Sequence, residues 1–253
     1  MKIKDAINKI EEKFPLFTQS SWDNSGVQVG DLDADLKGIY ICMDAEVANV
    51  KEAIDLGANL ILAHHPFIFS GIKSLVKGDF SYEIIDLAIK NDLTIYACHT
   101  PFDASAEGMK ATPLLKMAKS VDYDFVNDED QTFGVMMETD NQSMEEIEDV
   151  IKVALAKYKL ADITRIYQAN DKPINRIAYM GGSGASYIGD AAAKGADLYI
   201  TADVKYHDAQ LAKRLDLNLI DLGHDQSEMH FVDIMAEYLK DFSNVHKTYK
   251  TFR

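Results

Sequence analysis

Short apolar runs alternate with longer amphipathic segments along almost the whole chain. Strands repeat their side-chain environment every second residue and helices about every 3.6, so this alternation is the signature of strands interleaved with helices, and it limits the fold to the α/β class. Strands are expected at 39–43, 60–63, 94–98, 132–138, 163–169, 176–180, 198–201, 217–220 and 245–252. The clearest helices are expected at 5–13, before Pro15; at 46–56, before Gly57; at 82–90; at 144–158; at 187–194, before Gly195; and at 226–239. The stretch from Asp122 to Gln131 carries five acids in ten residues and is the candidate boundary between two lobes, with an ordinary solvated loop the equal alternative. One lobe is then expected at 1–126 plus 222–253, carrying most of the chemistry, and the other at 127–221. A loose echo joins "ANLILAHHPF" at 58–67 to "ADLYITADVKYH" at 196–207.

Composition removes several classes of function. With 253 residues, of which 47% are hydrophobic, the chain has ample material for a core and is not disordered. The start lacks the apolar stretch of a secretory signal, and no run reaches the roughly 18 apolar residues of a membrane span, so a cytoplasmic protein is expected. Forty-one acidic against 26 basic side chains leave a net charge of −15, which opposes sequence-independent binding to nucleic acid. Cys42 and Cys98 each end an apolar run and read as small buried hydrophobes in a reducing compartment.

In an open α/β sheet, ligands bind beyond the carboxyl ends of the strands. Four of the seven histidines stand there. "LILA" leads into His64-His65-Pro66, "TIYAC" into His99 and Asp103, and "LNLIDLG" into His224 and Glu228. Neighbouring residues of an extended chain point in opposite directions, so His64 and His65 are expected to serve two ions rather than share one. Glu228 falls on the same helical stripe as Phe231, Val232, Met235 and Leu239, and an inward carboxylate is costly unless paired or bound to a cation. The set His64, His65, His224, Asp103 and Glu228 therefore suits a two-metal site in which carboxylates bridge. Mixed imidazole and carboxylate ligation fits Zn, Fe, Mn, Co or Ni better than Ca or Mg.

Other motifs are less specific. "GGSGAS" at 181–186 follows a strand and precedes a helix; its backbone N–H groups, at Gly182 and Ser183, could cradle an anion, and tight strand-to-helix packing explains it equally well. "WDNSGVQVG" places the single tryptophan beside Asp23 and Asn24, which makes either a stacking and hydrogen-bonding surface for a heterocycle or a structural turn. His207 lies on an expected helix and, like His99, is a candidate proton donor.

Taken in order, "WDNSGVQVG", "LILAHHPFIF", "ACHTPFD", "GGSG", "ADLYITADVKYHDA" and "GHDQSE" give a sequence that resembles the Nif-three-like family, also labelled GTP cyclohydrolase I type 2 homologues, nearly from end to end. The resemblance implies two interlinked α/β lobes with mixed sheets flanked by helices, commonly assembled as a homohexamer. It implies two divalent ions per subunit on His64, His65, Asp103, His224 and Glu228, with Glu228 bridging and His99 a further ligand or a supporting group. The sequence departs from the family pattern at Pro101-Phe102, Ala202 and Asp225. The function expected is that of a metal-dependent hydrolase, in which a hydroxide bridging the ions attacks a nucleotide-like or phosphoester substrate. The alternative is a metal-binding scaffold or a regulatory ring without catalysis.

Overall fold

The structure is a computed structural model that describes residues 1–129, 131–159 and 165–251. The chain divides into two compact units, Met1–Phe102 with Phe231–Arg253, and Asp103–His230, so the second is inserted in the sequence of the first.

The first unit opens with α1 (Ile3–Lys13), whose Ile3, Ala6, Ile7 and Ile10 recur at helical spacing and are all buried. The Asp5 carboxylate accepts the Lys2 N–H at 2.7 Å at its start. Then come β1 (Gly26–Val29), β2 (Ile39–Asp44), α2 (Val47–Asp55), β3 (Leu60–His65), α3 (Phe80–Lys90) and β4 (Thr94–Ala97), followed by the single turn α4 (Thr100–Asp103). The sheet order is β1-β4-β3-β2 with β13 (Val245–Lys247) beyond β2. Only β1 runs antiparallel to its neighbour. Strands β2 to β4 are apolar almost without interruption, as expected of parallel strands covered on both faces. Tyr40, Cys42, Ile61, Ala63 and Ile95 from the sheet pack with Val50, Ala53, Ile84 and Ala88 from α2 and α3. Because β2, β3 and β4 are parallel, Asp44, His64 and His65 lie at one edge, and the chain leaves β4 there toward His99.

The second unit holds β5 (Ser120–Asp122), β6 (Val126–Asp128), β7 (Gln131–Phe133), β8 (Val135–Gln142), α5 (Met144–Leu155), β9 (Arg165–Tyr167), β10 (Ile174–Tyr179), α6 (Ile188–Ala193), β11 (Leu198–Thr201), α7 (Tyr206–Arg214), β12 (Asn218–Asp221) and α8 (His224–Glu228). Its six-stranded sheet has the order β5-β8-β10-β11-β12-β9, parallel from β10 to β12 and antiparallel outside. A reciprocal box starts α5: Ser143 Oγ accepts the Glu146 N–H, and Glu146 Oε2 accepts the Ser143 N–H at 2.8 Å. After α8, α9 (His230–Tyr238) leads back into the first unit.

Most expected elements are present with shifted ends. The strand foreseen at 132–138 is two, β7 and β8, divided at Gly134, whose φ is +67°. The helix foreseen at 226–239 is also two, and β1, β5 and β6 were not foreseen. Positions 163, 164 and 252 of the expected strands lie outside the described residues. The division of the chain differs from the expected one as well. The acid-rich stretch is not a linker, because β6 and β7 pair as a hairpin and Phe125 is fully buried in the second core with Ala178, Ile188 and Tyr199. The boundaries fall at Phe102/Asp103 and His230/Phe231, which places Asp103, His224 and Glu228 in the second unit. Cys42 and Cys98 are buried, and neither is in a disulfide. Among the described residues, no helix is long and apolar enough to cross a membrane. Phe125→Ala is expected to cost about 3–5 kcal/mol in urea unfolding, the usual consequence of emptying a buried phenylalanine site; an ordinary surface linker would register almost nothing.

Candidate metal centres

In the first unit, β3 ends in His64 and His65, and His99 follows β4. One ring nitrogen from each of the three lies within 4.8 Å of the others. The rings of the adjacent pair converge, with centroids 4.7 Å apart. Phe102 and Phe231 pack on the buried His64 ring at 5.9 and 4.8 Å, so the Phe of the atypical Pro101-Phe102 pair is a core residue that supports this imidazole.

Each ring is held from behind. His64 Nδ1 is 3.0 Å from the Cys98 carbonyl oxygen, His65 Nδ1 is 2.8 Å from Asp44 Oδ1, and His99 Nδ1 is 2.8 Å from Asp23 Oδ1. A carbonyl or carboxylate oxygen can only accept, so Nδ1 carries the proton in all three, and the neutral ring keeps its lone pair on Nε2. Asp44 and His65 are register partners at the ends of neighbouring parallel strands, which is why they meet. Asp23 is shut away from solvent and serves His99 rather than facing outward: Ser25 and Thr100 each give its Oδ2 a hydroxyl hydrogen bond of 2.6 Å. Burial would push the Asp23 carboxyl up, but the hydrogen bond and charge of His99, with those two hydroxyls, hold it well below the usual carboxylate range.

In the second unit, Gly223 (φ +79°) turns the chain from β12 into α8, which starts at His224 and carries Glu228 one turn later. His224 Nε2 and Glu228 Oε2 are 3.2 Å apart, and His224 Nδ1 is 2.7 Å from Asp203 Oδ2. Asp203 holds a left-handed backbone at φ +56°, a conformation Asp adopts more readily than most non-glycine residues. Asp103 and Glu228 each offer an oxygen within 4.8 Å of the other. Two carboxylates this close, one of them buried, repel unless a proton or cation lies with them. Tyr179 senses both: burial pushes its hydroxyl up, and the charges of Glu228 and Asp103 add to the push. Its Oη donates to the Ser227 carbonyl at 2.5 Å.

The "GGSG" turn passes directly over this pair. A side chain at Gly182 would place its Cβ 2.2 Å from Glu228 Oε1, and φ is +66°, so only glycine fits. Its N–H is spent on Ser227 Oγ at 2.9 Å, and that of Gly184 on Thr201 Oγ1 at 3.1 Å. The first donor clamps α8 and the second holds the end of β11, so both are spent inside the protein, and Ser183 is exposed beside them. Ala202, one of the departures, is buried and donates its N–H to the Gly182 carbonyl at 3.1 Å; Asp225 is buried and accepts the Gln226 N–H. Asn24 donates to the Ile68 carbonyl at 2.6 Å. His207 is exposed on α7 with its Nδ1 at Gln210 Oε1, and among the described residues it joins no group of histidines and acids close enough to share an ion.

Asp44 and Asp203 were not singled out from the sequence. A signal was present, because in both units the acid precedes its imidazole by 21 residues, one strand-to-strand step of the parallel sheet.

The sequence model of the family described as Duf34/NIF3 (NGG1p interacting factor 3) matches residues 1–252. The chain belongs to that family. A relative from Clostridium perfringens named "GTP cyclohydrolase 1 type 2 homolog" is 33% identical over 247 residues, covering 95% of this chain and 92% of its own. A relative of the same name from Campylobacter jejuni is 32% identical over 241 residues, covering 95% of this chain and 93% of its own. Among solved structures, Staphylococcus aureus hypothetical protein SA1388 superposes with a TM-score of 0.83 at 28% identity, covering 98% of this chain and 96% of its own. The α/β fold expected from the Duf34/NIF3 resemblance is thus the fold observed.

In this Duf34/NIF3 chain, neutral His64 and His65 are expected as Nδ1–H tautomers in long-range ¹⁵N correlation spectra of metal-free protein. Asp44→Ala should relax that preference at His65 alone, leaving His64 unchanged.

Proposed function

We propose that the protein is a cytoplasmic metal-dependent hydrolase that carries two divalent ions per subunit on His64, His65, Asp103, His224 and Glu228, and acts on a nucleotide-like or phosphoester substrate. The observation that supports it most is the common build of the strand-end imidazoles, each with Nδ1 against an oxygen acceptor. Metal-ligating histidines are characteristically oriented in this way. His230, buried in the second unit, is built the other way round, with Nε2 on the Met109 carbonyl at 3.0 Å, as suits a structural residue.

Glu228 is the bridging ligand of the proposal, since His224 and Asp103 both lie against it. The donor set of imidazoles and carboxylates fits Zn, Fe, Mn, Co or Ni. Bound there, such ions lower the pKa of water toward neutrality and polarise a carbonyl or phosphoryl oxygen. The chain's own part is positional. Asp44 and Asp203 fix His65 and His224, Gly182 admits Glu228, and Asp23 holds His99 with its basic nitrogen directed away from the carboxylate. His99 is thereby the residue suited to move a proton to the leaving group; His207, exposed on α7, lacks a comparable setting. The names of the curated relatives favour ring opening of a purine nucleotide within this class of reaction. A homohexamer, implied by the family resemblance, completes the proposal.

Elemental analysis of protein purified without added metal should give two ions per chain. Glu228→Ala should lose both; loss of only one would remove the bridging role. Asp44→Asn should keep the fold and weaken metal affinity about 10- to 100-fold in chelator competition. A broad screen of nucleotides, phosphoesters and cyclic amides should give turnover that chelation abolishes and metal restores, and a fully loaded protein with no turnover at all would overturn the hydrolase reading.

A further inference from the structure

Trp22 and Phe69 are large apolar side chains that stand half exposed, at 51% and 53%, beside the histidine group of the first unit. Their centroids are 6.1 Å apart with ring planes at 46°, an open pair. Both stand roughly perpendicular to the His99 ring, with centroids 5.8 and 6.4 Å from it, and the His99 centroid lies 5.2 and 5.6 Å from those of His64 and His65.

The exposure is built in. Asn24 Nδ2 donates to the Ile68 carbonyl at 2.6 Å, and the Ile68 N–H donates to Gln28 Oε1 at 3.2 Å, so the residue before Phe69 is gripped on both sides by the segment that carries Trp22. Gln28 Nε2 returns to the Asn24 carbonyl at 2.7 Å and closes the frame. Asn24 N–H also donates to Asp23 Oδ1, the oxygen that holds His99, so the frame and the imidazole share one anchor. Two apolar rings fixed in water by polar bonds pay their ordering cost before any ligand arrives.

We propose that Trp22 and Phe69 form a stacking platform for a planar heteroaromatic ring, which sets the substrate class as ring-bearing compounds such as nucleosides and nucleotides. The assignment of that ring to a substrate rests on the hydrolase reading above. No Lys or Arg occurs between Phe17 and Gln28 or between His64 and Ile72, so the two segments that carry the rings offer a π surface and no cation of their own for a phosphate. An aromatic face accepts any base, so the selectivity expected is for heterocycles as a class. The sequence offered Trp22 as the stacking surface and Asp23 and Asn24 as its hydrogen-bonding groups; in the structure both polar groups bond to the protein itself, and Phe69 joins Trp22 as the second exposed ring.

Trp22 is the only tryptophan of the chain, so its emission reports on this surface alone. Guanosine monophosphate and uridine monophosphate should quench it saturably in both metal-free and metal-loaded protein, while ribose phosphate, which has the sugar and phosphate but no base, should not. Phe69→Ala should weaken the effect about 10-fold or more, and Phe69→Tyr should restore it, with metal content and sedimentation unchanged. Absence of saturable quenching, an equal response to ribose phosphate, or a change of oligomeric state in Phe69→Ala or Trp22→Ala would overturn the platform, the last by making these rings a contact between copies of the chain. Quenching in metal-free protein separates this reading from the hydrolase one: either can fail while the other stands.

Discussion

An oxygen atom set behind an imidazole is the smallest feature on which the candidate site depends. Without the Cys98 carbonyl, Asp44 or Asp203, each ring would be free to choose between tautomers and to rotate about its χ torsions. A metal would then have to order the ligands as it bound. Each oxygen comes from the regular structure or from just beyond it. The Cys98 carbonyl follows β4, Asp44 ends β2, and Asp203 follows β11. Parallel pairing is what brings them to the histidines, because it gathers the carboxyl ends of several strands at one edge. The sheets are therefore part of the chemistry, and the apolar strands that build them are its foundation.

The two units solve the same problem in the same way. In each, an acid at or after the end of one strand reaches the imidazole at or after the end of the next parallel strand, at a separation of 21 residues. The echo legible in the sequence paired 58–67 with 196–207, which sets β3 against β11. The structural correspondence is instead between the β2–β3 step and the β11–β12 step. Text similarity followed the small-residue turns before the strands, whereas geometry follows the hydrogen bond.

What the sequence revealed and what it hid divide along a physical line. His64, His65, His99 and His224 were legible because a polar residue just after an apolar run violates the local pattern and invites a reason, and Glu228 because it falls on an apolar helical stripe. The carboxylates behind them were not legible, because an Asp at a strand end or in a turn is what any turn would use. Asp23 was read as facing a ligand, and only its contacts with Ser25, His99 and Thr100 reveal an inward role. The strand β1 escaped because Gly26–Val29 is short and only partly buried. Phe125 and Val126 escaped because five neighbouring acids masked two core residues. Helix α8 was misjudged for a related reason. A continuous helical stripe from Gln226 to Leu239 is compatible with one helix, and periodicity alone does not register the break at Met229.

The first unit is assembled from two stretches of sequence that the whole second unit separates. Its strand β13 lies beside β2, although nearly everything between them in the sequence belongs elsewhere. During synthesis, β2, β3 and β4 emerge early and can pair at once, but the outer side of β2 must wait until the segment beyond Phe231 leaves the ribosome. For that interval a nascent apolar strand presents unpaired N–H and C=O groups to its surroundings, the kind of edge on which chains cross-associate. The insertion thus makes biogenesis order-dependent, with the inner unit able to complete itself while the outer one is still waiting for its final strand.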